Sequence, residues 1–240
     1  RVIKQAPELA TIQDAIDATV KSLKTTLTPT KLKSYRYEYD VEAELTRGFL
    51  RAGAIHGFEP IIAGGPRACQ IHPYTRAALG RGELLVLDVG AQVDHYSADI
   101  TRTVAIQPPT KRQKQVYEAV LQVQEYALSL LKPGVNLHDY ELEVEQFMGE
   151  KLRELGLIRS IRRESVRRYF PHATSHYLGL NVHDVGDRGP TGILEPGAVL
   201  TVEPGIYIPK EGIGIRIEDD VLITPTGTKV LSAALPRRLN

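Results

Sequence analysis

Between residues 7 and 27, Leu9, Ile12, Ile16, Val20, Leu23 and Leu27 recur at intervals of three and four, the apolar stripe of an amphipathic helix. Pro7 suits its first turn and Pro29 lies just past its end. The polar, tyrosine-rich stretch 28–39 reads as a loop. Asp40 is placed to cap a second helix, with Val41, Leu45 and Phe49 on one face and Gly53 as its stop. The pattern then changes to short continuous apolar runs, the mark of buried strands. These are 59–63 (EPIIA), the run Leu84–Leu87 ending in Asp88, and the stretch from Ile100 to Ile106 after Asp99. Helical spacing returns after Thr110 with Val116, Ala119, Val123, Ala127 and Leu130, and stops at Pro133-Gly134. A further helix spans about 138–155, with Tyr140, Val144, Phe147, Leu152 and Leu155 inward. The last third is strand-like again: 177–183, Val199–Val202, Ile213–Ile217 and a final strand at 221–223 or 229–231. One α+β domain over residues 1–240, built from two related halves that each contribute helices and a hairpin, is the economical reading.

The strand ends carry the candidate chemistry. Asp88 closes one apolar run and Asp99 opens the next, with Gly90, Asp94 and His95 between them as a turn. Folded about their midpoint, Asp88 and Asp99 face each other, about 4.5–5.5 Å apart at Cα. The design recurs at Glu203 and Glu218, with the turn Pro209–Gly212 between them. Paired strand-end acids can simply cap turns. Two matched pairs point instead to one site, and anions forced together near a core need a cation or a shared proton. Oxygen-rich donors favour hard or borderline divalent ions such as Mn²⁺ or Mg²⁺.

Histidines gather in PHATSHYLGLNVHDVG, where His172, His176 and His183 fall within twelve residues. On a helix His172 and His176 would share a face. The alternation of Leu178, Leu180 and Val182 favours a strand, with His176 and His183 differing in direction. A lone buried histidine is ordinarily a core residue, but three beside a carboxylate cluster weaken that reading. His72, in a loop before the first hairpin, reads on its own as solvated.

Bulk properties narrow the class. The chain has 240 residues, 42% hydrophobic and 25% charged, enough for a substantial core. A net charge of +1 gives no global case for nucleic acid or a membrane surface. The basic run Arg159, Arg162, Arg163, Arg167 and Arg168 is interrupted by Glu164 and lacks interleaved aromatics, so it reads as a solvated face or a partner contact. The single cysteine, Cys69, excludes an internal disulfide and fits a reducing compartment. With no signal-peptide core and no long apolar run, a cytoplasmic location is expected.

Together these residues resemble the catalytic domain of the metallopeptidase superfamily with the pita-bread (creatinase/aminopeptidase) fold, which includes aminopeptidase P, prolidase and methionyl aminopeptidase. The resemblance runs over nearly the whole chain. It implies a five-ligand set: Asp88 and Asp99 in LDVGAQVDHYSADITRT, His176 in HATSHYLGLNVHDVG, Glu203 in LTVEPGIYI and Glu218 in GIGIRIEDD. Asp99 and Glu218 are implied to bridge two metals, with Asp88 completing one and His176 with Glu203 the other. His72 and His183 match histidines that line the substrate site, and Arg216 matches an arginine two before the last ligand. SHYLGLNVHDVGD and GIGIRIEDDVLIT resemble the proline-directed branch, aminopeptidase P ahead of prolidase, which usually carries Gly where Ser175 stands. Ala173, Thr174 and Tyr177 depart from the common wording without removing a ligand.

The activity implied is hydrolysis of an N-terminal Xaa-Pro peptide bond by a water activated between two divalent metals, Mn²⁺ first and Co²⁺ or Zn²⁺ as alternatives. His72, His183 and Glu203 are the implied catalytic residues. His72, His172, His183 and Arg216 are the implied substrate contacts. The implied partners are a peptide with proline second and, in a homodimer, another copy of the chain. Proline-directed members carry a further domain ahead of this one, which is therefore expected to be absent or removed. The alternatives are an Xaa-Pro dipeptidase and a binding module that keeps the fold without catalysis.

Overall fold

Each half of the chain lays its own helices against its own strands. A computed structural model describes every residue except Ile71, His72, Tyr74, Thr75, Arg76, Arg81 and Asn240. The first half contains α1 (Ala6–Thr26), α2 (Pro29–Ser34), α3 (Glu38–Arg51), β1 (Ile55–His56), β2 (Ile61–Gly64), β3 (Leu84–Val89), β4 (Ala91–Val93), β5 (Tyr96–Ser97) and β6 (Ile100–Ala105). The second contains α4 (Lys111–Leu130), α5 (Leu137–Glu154), α6 (Arg163–Arg167), β7 (Val199–Val202), β8 (Gly205–Ile208), β9 (Ile213–Arg216), β10 (Asp219–Thr224) and β11 (Gly227–Val230). In the first core, Ile12, Ile16 and Leu23 of α1 and Phe49 of α3 are buried with Leu85, Leu87 and Ile100. In the second, Val116 and Val123 of α4 and Tyr140 and Met148 of α5 are buried with Val202, Ile206 and Ile215. Among the described residues no helix is long and apolar enough to cross a membrane.

The two hairpins set the site. β3 pairs with β6 from Leu84↔Ala105 to Val89↔Ile100, and the register continues into β4 and β5, where Gln92 faces Ser97. The turn is Asp94-His95, with both φ angles positive at 43° and 70°, as a two-residue hairpin turn matched to strand twist requires. This turn lies one residue beyond the midpoint of the two aspartates. The expected face-to-face pairing is therefore corrected: Asp88 faces Thr101, and Asp99 falls opposite Gly90. A shift of two positions preserves the side-chain face, so both carboxylates still point the same way, now diagonally.

In the second hairpin β8 pairs with β9 and β7 with β10 in one register. Val202↔Asp219 and Gly205↔Arg216 flank the bend, so Glu203 faces Glu218 as expected. Both hairpins thus pass from one sheet to another where their acids sit. They meet through Glu218 N–H donating to Thr101 O at 3.1 Å, and through Thr103 Oγ1, which donates to Arg216 O and accepts from Arg216 N.

Three further expectations change. The stretch 28–39 contains α2, started by Pro29 and anchored by buried Leu32. Asp40 is not the cap of α3 but sits in its first turn, accepting from Arg36 N and Tyr37 N. Residues 177–183 form no strand beyond a bridge from Tyr177 to Leu200. The extended segment comes earlier, with Thr174, His176 and Leu178 bonded to Glu203, Thr201 and Val199. The chain then folds back at Gly179, whose N–H turns onto Asn181 O. The final strand exists in both proposed places, β10 and β11.

Candidate metal centre

Asp99, His176 and Glu218 present ligand atoms that all lie within 4.8 Å of one another, and all three residues are buried. His176 Nε2 stands 3.4 Å from Asp99 Oδ2 and 3.5 Å from Glu203 Oε1. Its Nδ1 lies 3.1 Å from Tyr177 O, which can only accept, so Nδ1 carries the proton and the Nε2 lone pair faces the acids. That is the arrangement of a metal-ligating histidine. Asp88 joins from β3, paired with Arg216. No donor among the described residues reaches the buried Oδ1 atoms of Asp88 and Asp99.

The electrostatics of this cluster are unfavourable without a cation. Burial, then Asp88, pushes the Asp99 carboxyl well above the usual range. Burial, then Glu218, does the same to Glu203, and burial, then Asp99, to Glu218. Burial holds the imidazole of His176 below its ordinary pKa, leaving it neutral and basic at nitrogen. Orphaned carboxylate oxygens, a presented imidazole nitrogen and mutually repelling acids together fit divalent ions of hard or borderline character.

A second layer of residues runs out from Arg216, which is only 4% exposed. Its guanidinium reaches Asp88, Thr101 Oγ1 at 3.1 Å and Tyr207 Oη at 2.8 Å. Thr101 in turn donates to Glu218 Oε2 at 2.6 Å. Tyr207 accepts from Arg216, so its proton points to His172 Nε2 at 2.8 Å, and His172 Nδ1 donates to Ala173 O. Burial, then the cationic Arg216, pushes the His172 pKa down to about 3. His172 is therefore a neutral member of this chain of hydrogen bonds.

Sequence reasoning missed Thr101 and Tyr207. A strand parity signal marks both: Thr101 is two residues from Asp99, and Tyr207 is four from Glu203. Gly205 makes room for the ring, since a Cβ there would lie 2.6 Å from Tyr207 Oη.

Of the remaining expected residues, His183 is exposed and packs edge-on against His176, ring centres 4.5 Å apart. His72 lies outside the described residues. Within the basic run, Arg167 turns inward and pairs with Glu145.

Two carboxylate hairpins meeting beside a buried histidine, on two pseudo-related halves, define a pita-bread metallopeptidase domain. The sequence matches the profile of metallopeptidase family M24 over residues 10–225, and the chain belongs to that family. It is 36% identical to an Xaa-Pro aminopeptidase of Haemophilus influenzae, covering 100% of this chain and 59% of that protein. It is 34% identical to Xaa-Pro aminopeptidase 3 of Homo sapiens, covering 100% of this chain and 50% of the relative. Among solved structures, proline aminopeptidase P II from Yersinia pestis superposes with a TM-score of 0.91 at 36% identity, over 99% of this chain and 58% of that one. The chain thus spans between half and three-fifths of these relatives.

Proposed function

We propose that residues 1–240 form one catalytic domain of an aminopeptidase that hydrolyses the N-terminal Xaa-Pro bond of peptides, using two divalent ions, most simply Mn²⁺, in the cytoplasm. The observation that carries this reading is the convergence of Asp99, His176 and Glu218 within 4.8 Å, with Glu203 and Asp88 alongside. The relatives named Xaa-Pro aminopeptidase support the aminopeptidase reading over the Xaa-Pro dipeptidase and over a binding module that has lost catalysis.

Asp88, Asp99, His176, Glu203 and Glu218 would hold the ions, with Asp99 and Glu218 shared between them. When bound, the ions supply Lewis acidity that polarises the scissile carbonyl and makes a water acidic enough to attack near neutral pH. Glu203 is the proton carrier: it faces the site, and its Oε2 lies 3.6 Å from His172 Nδ1. His183, exposed beside His176, would donate to the carbonyl oxygen as charge develops there, a role worth about 2.7–4 kcal/mol. His72, outside the described residues, keeps the donor role that the resemblance implies. Arg216 and Tyr207 hold Asp88 and His172 in place, and Arg216 is too enclosed to serve as an open carboxylate clamp. A prolyl nitrogen carries no N–H, so the site has only to accommodate its ring.

The test is kcat/KM with added Mn²⁺ on an Xaa-Pro-Xaa tripeptide against the Xaa-Pro dipeptide. Release of the first residue from the tripeptide, with the dipeptide slower, is expected. Preference for the free dipeptide would move the chain to the dipeptidase branch, and no cleavage of either would remove the activity.

A further inference from the structure

The loop that carries His172 and His176 is gripped from the side opposite the strands by one face of α5. Glu141 accepts from Thr174 N with both oxygens, at 2.8 and 3.1 Å, and from Ser175 N at 2.9 Å. Tyr140 Oη lies 3.2 Å from Ser175 Oγ. One turn further along the helix, Glu145 accepts from Arg167 Nε at 2.8 Å, and Arg167 Nη1 donates to His172 O at 2.7 Å. Residues 141 and 145 are four apart, so both carboxylates leave the same helix face. Gly149 continues that face, and a Cβ there would lie 2.5 Å from Ile161 Cγ2, which leads into α6 and Arg167. On its other side the loop is bonded to β7, Glu203 N donating to Thr174 O at 2.8 Å and Thr201 N to His176 O at 2.9 Å.

We infer that Glu141 and Glu145 of α5 are positioning residues that fix the loop 172–176 so that His176 and Glu203 are presented together to the metal site. The assignment rests on the proposed metal reading, because it gives the clamp its purpose. Its logic is geometric. Glu141 accepts two consecutive loop N–H groups, and a carboxylate placed against backbone donors forms charge-assisted bonds stronger than neutral ones. Thr174 is the shared node: its N–H is bonded to α5 and its carbonyl to Glu203 N. Displacing it moves one ligand directly and the neighbouring ligand through two peptide units.

Glu141→Gln keeps the size of the side chain but removes its charge and replaces one of its two accepting oxygens by an amide donor. Glu145→Gln weakens the second handle independently. Glu143→Gln, on α5 and bonded to Tyr126, is the control. Each protein would be titrated with Co²⁺, following the visible bands that report the ligand field, and its thermal midpoint measured without metal. Loss of a partner that orients a ligand typically lowers metal affinity 10–100-fold. That loss, with altered bands, is expected for Glu141→Gln, and a smaller loss for Glu145→Gln, with Glu143→Gln unchanged. Wild-type affinity and bands in both clamp variants would overturn the inference. Should Glu141→Gln not fold, Glu145→Gln decides alone. If the wild-type chain takes up no Co²⁺, the metal reading itself fails. In that case amide exchange at Thr174 and Ser175 in metal-free wild type and Glu141→Gln tests the clamp, and equal protection would overturn it.

Discussion

The two hairpins contribute acids in equal number but different chemistry around them. The first half brings Asp88 and Asp99 on β3 and at the start of β6, with hydroxyls at Thr101 and Thr103 beside them. The second half brings Glu203 and Glu218 together with the nitrogen-bearing side chains His172, His176, His183 and Arg216. The halves also exchange arginines. Arg216 of the second pairs with Asp88 of the first at the site, and Arg102 of the first pairs with Asp219 of the second in the core behind it. One pair lies among the candidate metal ligands and the other in the buried core. Pseudo-symmetry supplies the buried carboxylates, and asymmetry supplies the nitrogen-bearing side chains beside them.

The largest effects should come from breaking the shared acids. Glu218→Gln keeps the shape but removes one of the buried anions that repel each other in the metal-free chain. It is expected to lose both metals and all turnover, while the metal-free protein stays at least as stable as wild type. Metal analysis after gel filtration and a urea melt read both outcomes; two ions per chain at full occupancy would end the bridging assignment. Next comes the core pair. Asp219 is fully buried and accepts from Arg102, Ser232 and Gln124 at 2.6–2.9 Å. Asp219→Ala strands a buried guanidinium, which costs about 3–5 kcal/mol, measured by the same urea melt. A loss no greater than that of a surface aspartate would show that Arg102 is held by its carbonyl partners alone.

The hairpin bends separate the halves more finely. A Cβ on Gly90 would lie 1.7 Å from Ala98 O, against backbone, whereas one on Gly205 meets first the tip of Tyr207. Gly90→Ala is therefore expected to destabilise by about 1–3 kcal/mol, as overpacking does. Gly205→Ala should displace Tyr207 and lower kcat with less effect on the melt. Equal effects on both readouts would erase this distinction between the halves.

What was legible in the sequence follows the same division. Strand-end acids stood out because a charge closing an apolar run violates the local pattern, and the second hairpin's register could be read because its turn lies midway between its acids. The first could not, because a two-residue turn needs left-handed backbone at Asp94 and His95, and that choice is made by strand twist rather than by spacing. The helix over 138–155 was visible as an apolar stripe, yet its Glu141–Glu145 face was silent. Nothing in a helical pattern tells a solvated glutamate from one that holds a distant loop. Tyr207 was hidden for a related reason: the strand break at Pro204 obscures the parity that links it to Glu203.

The smallest expected effect contrasts two histidines that rest edge-on against phenylalanine. His172 packs on Phe170 in the second half and belongs to the site, while His56 packs on Phe49 in the first and has no part in it. His56 Nε2 lies 2.8 Å from Thr46 Oγ1, whose proton goes to Glu42 O, so Nε2 donates and the buried Nδ1 has no partner among the described residues. Burial accordingly holds the His56 pKa below its ordinary value. The unfolded chain takes up this proton near pH 6.5, so just below that pH it binds more protons than the fold, and stability rises with pH there. This contribution is complete above about pH 6.5 and is lost as pH falls toward the folded pKa. His56→Gln keeps a donor for Thr46 and removes the titration. Its stability should fall less steeply than wild type below about pH 6.5, with kcat/KM unchanged, whereas His172→Gln should lower kcat. A steeper acid loss in His56→Gln would mean that His56 is not the group responsible, and a fall in turnover would mean that the first half's histidine also reaches the chemistry.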